Sequence, residues 1–190
     1  DITEQARMIS NVPLQIPYNE ELEVRGECVI SWDNFNKINE TLEDPFAHPR
    51  NLAAATLRNL NTEFTRQRNL AFVLFECVTN IGLDDKVNIL QLMGNLGFEI
   101  VSFAFDSECG LEKYLEVLDP NLCKYPVDGL VVELCSRKES LETDSTAHHE
   151  GCRYAFKWAD EVYSTTLRDI EWKTSRSGVV APVAIFDEID

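Results

Sequence analysis

"KYPVDGLVVEL", residues 124–134, is the stretch on which the reading of the chain turns. Pro126 punctuates its start, Asp128-Gly129 is a turn-prone pair, and an apolar, β-branched run ends in Glu133. Asp and Gly tolerate turn geometry and Val suits a pleated surface, so the local pattern is a turn into a strand. Asp128 then either closes that turn or offers a carboxylate at the mouth of a ligand site, where it could hold a hydrated magnesium ion beside a phosphate.

Upstream, residues 1–19 read as a short helix ("TEQARMIS") and an extended, proline-punctuated segment. "LEVRGECVI" alternates as a strand, with Leu22, Val24, Gly26 and Cys28 on one face and Glu23, Arg25 and Glu27 on the other. "NFNKINETL" predicts a short helix capped at Asp33 or Asn34, and "HPRNLAAATLRNLN" a second helix with Pro49 in its first turn. "RNLAFVLFECV" is a strand, "DDKVNILQLMGNLG" an amphipathic helix stopped by Gly97, and "FEIVSFAF" a further strand. "GLEKYLEVLD" predicts another helix. After 124–134 come an irregular polar stretch at 136–150, the strand "CRYAFKW", and the pair "TTLRDIEWKT" and "GVVAPVAIF" joined by "SRSG". Strands outnumber helices and the two interleave, which predicts an α+β fold.

Composition narrows the class. The chain has 190 residues, 44% hydrophobic and 26% charged, which is globular rather than disordered. No apolar run approaches membrane-spanning length and the start has no signal-peptide pattern, so the expected setting is cytoplasmic. Seventeen Lys and Arg against 33 Asp and Glu leave a net charge of -16, which argues against a stand-alone nucleic-acid binder but not against a local basic patch. The six cysteines form no C-x-x-C pair; a zinc cluster is not expected, and buried free thiols are.

Several residues could carry chemistry. Glu27 shares a strand face with Arg25 beside Gly26, either as a solvated pair or as an acid reaching a ligand that glycine lets approach. Arg50 and Arg58 share a broad helix face with small residues between them, suited to an anion or to plain solvent. Arg153 and Lys157 flank Ala155 on one strand face, an arrangement that suits a phosphate and equally an exposed sheet. His148 and His149 are adjacent, diverge on regular structure, and read as loop or capping residues rather than a metal pair. No P-loop, Rossmann or G-x-S-x-G motif occurs.

Together, "LEVRGE", "FAHPRNLAAATLRNL", "RNLAFVLFE", "YPVDGLVVEL", "YAFKW" and "SRSGVVAPVAIF" resemble, in order and spacing, the adenylation (nucleotidyltransferase) domain of bacterial NAD-dependent DNA ligases. The resemblance covers essentially all 190 residues. It implies a nucleotidyltransferase fold of the DNA ligase and mRNA capping enzyme kind, with antiparallel sheets flanked by helices. It implies an enzyme in which a lysine attacks the adenylyl phosphorus of NAD, AMP passes to the 5′-phosphate at a nick in duplex DNA, and the 3′-hydroxyl displaces AMP. Magnesium is the expected metal. By motif, Glu27 would contact the nucleotide near the adenosine, and Phe75 would stack on adenine where the family usually has tyrosine. Arg50 and Arg58 would bear on phosphate and nicked DNA, Asp128 would be the acid of the D-G-x-V motif, and Lys157 would approach the AMP phosphate. Arg153 receives no family role.

The departures matter as much. The family nucleophile is the Lys of a K-x-D-G motif, and the only Asp-Gly in these 190 residues is Asp128-Gly129. Lys124 is two residues too far from it and lies in the wrong motif. Residues 1–190 are therefore expected to be one partial adenylation domain, lacking the upstream K-x-D-G segment and the downstream OB-fold, and unable to self-adenylate alone. Glu133 stands where the family often has a lysine near the nucleotide, although a divergent branch also carries an acid there. Ala55 replaces a usual glycine, His48 replaces an asparagine and weakens an expected cap, and Pro120 lies near a place often held by arginine. The alternative is a degenerate module that holds a nucleotide or partner without ligating.

Overall fold

The computed structural model describes residues 2–104, 115, 118–143, 152–158 and 163–188. It divides into two compact units, Asp1–Phe156 and Lys157–Asp190. The expected helix over 110–119 falls mostly outside the described residues, as do Cys109, His148 and His149.

The first unit is built on two antiparallel strands, β1 (Val24–Val29) and β2 (Ala71–Cys77). Along β1 Val24, Gly26 and Cys28 are partly covered while Arg25 and Glu27 are exposed, as the alternation predicts. Around the strands lie α1 (Thr3–Arg7), α2 (Trp32–Asn39), α3 (Pro49–Arg58), α4 (Glu63–Gln67) and α5 (Lys86–Asn95). One core joins Ile9, Ile30, Phe35, Leu52, Ala53 and Leu70; a second joins Leu74, Cys77, Ile89, Leu90, Met93 and Leu96. Phe72 packs against both.

Helix starts follow capping chemistry, with two corrections. The cap of α2 is Ser31, whose side chain accepts from the Asn34 amide, not Asp33 or Asn34. His48 was expected to cap α3 poorly; instead its Nδ1 accepts from the Arg50 amide at 3.1 Å, with Pro49 buried in the first turn. Asp85 caps α5, and Gly97 beyond its end has φ +102°, the left-handed stop that glycine favours.

"FEIVSFAF" does not form a full strand. Its only pairing among the described residues is a parallel bridge between Ile100 and Leu74. Glu99 explains why that short contact holds. Its carboxylate accepts from Asn11 Nδ2 at 2.7 Å, Tyr125 Oη at 2.9 Å and Lys124 Nζ at 3.2 Å. The N-terminal segment and the run into 124–134 are thereby tied to one point.

β3 (Gly129–Glu133) pairs with β4 (Arg153–Lys157), and the division between units falls inside β4. The stretch expected to be irregular at 136–150 contains α6 (Arg137–Glu142), capped by Ser136. The second unit carries the antiparallel hairpin β5 (Leu167–Thr174) and β6 (Val180–Phe186), turned through Gly178. Helices and small antiparallel sheets thus alternate as an α+β fold requires, but six strands are matched by six α-helices among the described residues. Cys28, Cys77, Cys123 and Cys135 are free thiols, and both Cys77 and Cys152 are buried. No helix among the described residues is long and apolar enough to cross a membrane.

Gly26 is required for packing. A Cβ there would stand 2.4 Å from the Phe72 ring and 2.6 Å from the Val73 carbonyl oxygen. The space beside Gly26 is thus filled by the side chain that joins both cores, and is not held open for a ligand. Gly26→Ala is expected to cost about 1–3 kcal/mol, the usual range for overpacking. A urea-unfolding midpoint equal to that of the unaltered chain would contradict this.

Candidate functional site

The register of β1 and β2 slips once. Arg25 faces Glu76 but Gly26 faces Leu74, so Phe75 has no partner on β1. This is a β-bulge, an extra residue that re-aims side chains. Leu74 and Cys77 are both buried in the same core although they are three apart, which an unbroken two-residue alternation forbids. The bulge resolves that conflict and leaves Phe75 exposed, at 43%.

Beside Phe75 lies a hollow whose wall includes Ile89 and Leu90 and whose charged lining comprises Glu76, Lys86, Glu133, Arg137 and Arg153. The hollow is small, about 50 Å³, and open to solvent, so a planar ring would sit at its mouth, where Phe75 is exposed. Three cations against two carboxylates line this place, in a chain whose net charge is -16.

The charges form one connected network. Glu133 Oε2 accepts from Lys86 Nζ at 2.8 Å and from Arg153 Nε at 2.7 Å. Arg153 also donates to Glu76 Oε1 at 2.8 Å, and the other Glu76 oxygen accepts from Arg25 at 3.3 Å. Burial pushes the Glu133 carboxyl up, but the hydrogen bonds from Lys86 and Arg153 outweigh it and hold it below the usual carboxylate value. Burial likewise opposes the charge on Arg153, and its bonds to Glu133 and Glu76 reverse that, raising its pKa. Lys86 is placed by its backbone: its amide donates to the Cys135 carbonyl at 2.9 Å, two residues past Glu133. Asp84 strengthens the same seam by accepting from Ser136 Oγ and the Lys138 amide. Arg137 caps the end of β2 through the carbonyls of Val78 and Thr79.

The sequence-predicted residues fall into separate groups. Phe75 and Glu133 line one hollow, and Glu27 is exposed on the neighbouring strand β1, outside that lining. Asp128 is elsewhere, pairing with Arg50 at 3.0 Å with both side chains about two-thirds exposed, a contact of little energetic weight. Asp128 and Glu133 bracket β3, about 16 Å apart along an extended strand. Arg58 is exposed at the end of α3 and bonds to no described residue. Lys157 is exposed at the end of β4. Arg153, paired in the sequence reading with Lys157 as a phosphate cation, is instead bound by two carboxylates. Lys124 is occupied by Glu99 and the Tyr125 ring. Among the described residues no group of three metal-ligating side chains gathers, and Asp128 can offer magnesium one carboxylate if it releases Arg50.

Sequence reasoning missed Lys86, Glu76 and the role of Arg153. Lys86 is an unremarked first residue of a helix in "DDKVN", and only the fold brings it to Glu133.

Comparison with known proteins settles the family. The model of the NAD-dependent DNA ligase adenylation domain matches residues 1–161. The chain belongs to this family. It is 35% identical over 197 residues to a DNA ligase of Ruminiclostridium cellulolyticum, 35% over 199 to one of Campylobacter lari and 31% over 201 to one of Bacillus subtilis. Each alignment covers the whole of this chain and 30%, 31% and 30% of the respective relative. The chain therefore spans about a third of the length of these ligases.

In this adenylation-domain chain the Glu133 clamp has a stability signature. A carboxyl whose folded pKa is lowered stabilises above its unfolded value, about 4.3, and that contribution is lost as pH falls through the folded value. Glu133→Gln is expected to cost about 1–3 kcal/mol at pH 7, with the difference shrinking below about pH 4. Urea unfolding at pH 7 and pH 3 measures it; an equal cost at both would contradict the clamp.

Proposed function

We propose that this chain is the nucleotide-binding core of an NAD-dependent DNA ligase, with the nucleotidyltransferase fold that its family membership suggests. The observation that carries the reading is Phe75, turned out by the bulge beside a locally cationic hollow in an otherwise acidic chain. An exposed aromatic face next to fixed charges suits a base and its polar substituents. The residues fit the AMP half of NAD on that basis.

NAD supplies an activated adenylyl group with nicotinamide mononucleotide as the leaving part. The residues here bind and orient it. Phe75 seats adenine, Glu27 takes up the adenosine side from the exposed face of β1, and Glu133 contacts the nucleotide at the hollow. Lys157 meets the AMP phosphate and stabilises charge developing on it. Arg50 and Arg58, on one face of α3, bind phosphates of nicked duplex DNA. Asp128 holds magnesium through water beside the phosphate. The nucleophilic lysine of the family's K-x-D-G motif has no counterpart in these 190 residues, so the chain alone binds nucleotide without becoming adenylated.

Isothermal titration with AMP tests the seat. Phe75→Ala is expected to weaken binding about ten- to hundredfold and Phe75→Tyr to leave it unchanged, since stacking uses the ring. Unaltered affinity in Phe75→Ala would overturn the reading. Incubation with NAD radiolabelled in its adenylyl group is expected to leave no acid-stable mark on the chain; a covalent label would show that a residue within it acts as nucleophile.

A further inference from the structure

Glu133 poses a chemical problem at a site for nucleotides, because an ionised carboxylate repels phosphate. Its surroundings indicate what it can recognise. Lys86 and Arg153 both bind the same oxygen, Oε2. Among the described residues nothing engages Oε1. The side chain is 29% exposed and lines the hollow beside the Phe75 ring. A carboxylate gripped this way cannot rotate freely, and when ionised it only accepts hydrogen bonds. It complements an N–H donor and opposes a carbonyl oxygen or a bare ring nitrogen. Phe75 and Glu133 line the same hollow, so a ring seated on Phe75 shares a site with this carboxylate.

We propose that Glu133 is a base-reading residue: its Oε1 accepts a hydrogen bond from the exocyclic amino group of a 6-aminopurine seated on Phe75, so that the site selects adenine over purines lacking that donor. This deepens the nucleotide-site reading and rests on it. Lys86 and Arg153 act as positioning residues. They hold the carboxylate, neutralise its repulsion of the nucleotide's phosphate, and keep it an acceptor. Lys86 is itself fixed by the hydrogen bond its backbone amide donates to the Cys135 carbonyl, and Arg153 by its second arm on Glu76. Selectivity arises because a fixed charged acceptor left facing a ligand without a donor is desolvated and unpaired.

The test compares AMP with purine riboside 5′-monophosphate, which differs only in having hydrogen in place of the amino group. Both carry the same phosphate, so changes in general electrostatics cancel in the ratio of affinities. Calorimetry on the unaltered chain is expected to give AMP an advantage of about tenfold or more. Glu133→Ala should bring the ratio close to one, and Glu133→Gln, which keeps the shape and an amide oxygen, should give an intermediate value. Circular dichroism identifies a variant that has not folded, and the ratio in the unaltered chain stands without either variant. AMP binding with a ratio near one, or a ratio that survives Glu133→Ala, would overturn the base-reading role while leaving the nucleotide site intact. Failure of both nucleotides to bind the unaltered chain would overturn the nucleotide-site reading and this inference with it.

Discussion

One extra residue in β2 sets the rest of the site. Leu74 and Cys77 must both enter the core under α5, and a regular strand cannot deliver two residues three apart to one face. The bulge satisfies both and leaves Phe75 facing out. On the facing strand, Gly26 must lack a side chain because Phe72 fills the space where its Cβ would stand. Phe72 in turn bridges the two cores of the first unit. The candidate base seat and the packing of the fold are consequences of one register slip, so neither can be changed without the other.

Charge is handled locally. Two carboxylates, Glu76 and Glu133, are bridged by Arg153, and Lys86 completes the coordination of Glu133. These side chains are mostly covered, so their interactions are screened less than the exposed pair Arg50–Asp128. The acid at Glu133 is thereby compensated by a cation from α5 across one ion pair.

Much of the fold was legible because it follows local rules. The alternation of "LEVRGECVI", the proline start of α3 and the left-handed Gly97 each have a physical cause confined to a few residues. Some readings failed because the deciding contact was distant in sequence. "FEIVSFAF" looked like a strand, but its pairing depends on Leu74, and the segment is held by Glu99 to Asn11, Tyr125 and Lys124. His48 looked like a poor cap because asparagine was the expectation, yet an imidazole nitrogen accepts an amide as well. At the site, Phe75 and Glu133 were named from motifs alone. Lys86 and Glu76 could not be, since nothing in their own segments marks them and only tertiary packing joins them to Glu133.

The central claim is that the outward ring of the bulge is the seat of a purine. Nuclear Overhauser contacts between adenine protons and a chain labelled only in its phenylalanine rings measure this directly. The account predicts contacts from adenine H2 or H8 to the Phe75 ring when AMP is bound. AMP bound with no contact to Phe75, its adenine protons instead near another part of the chain, would contradict it.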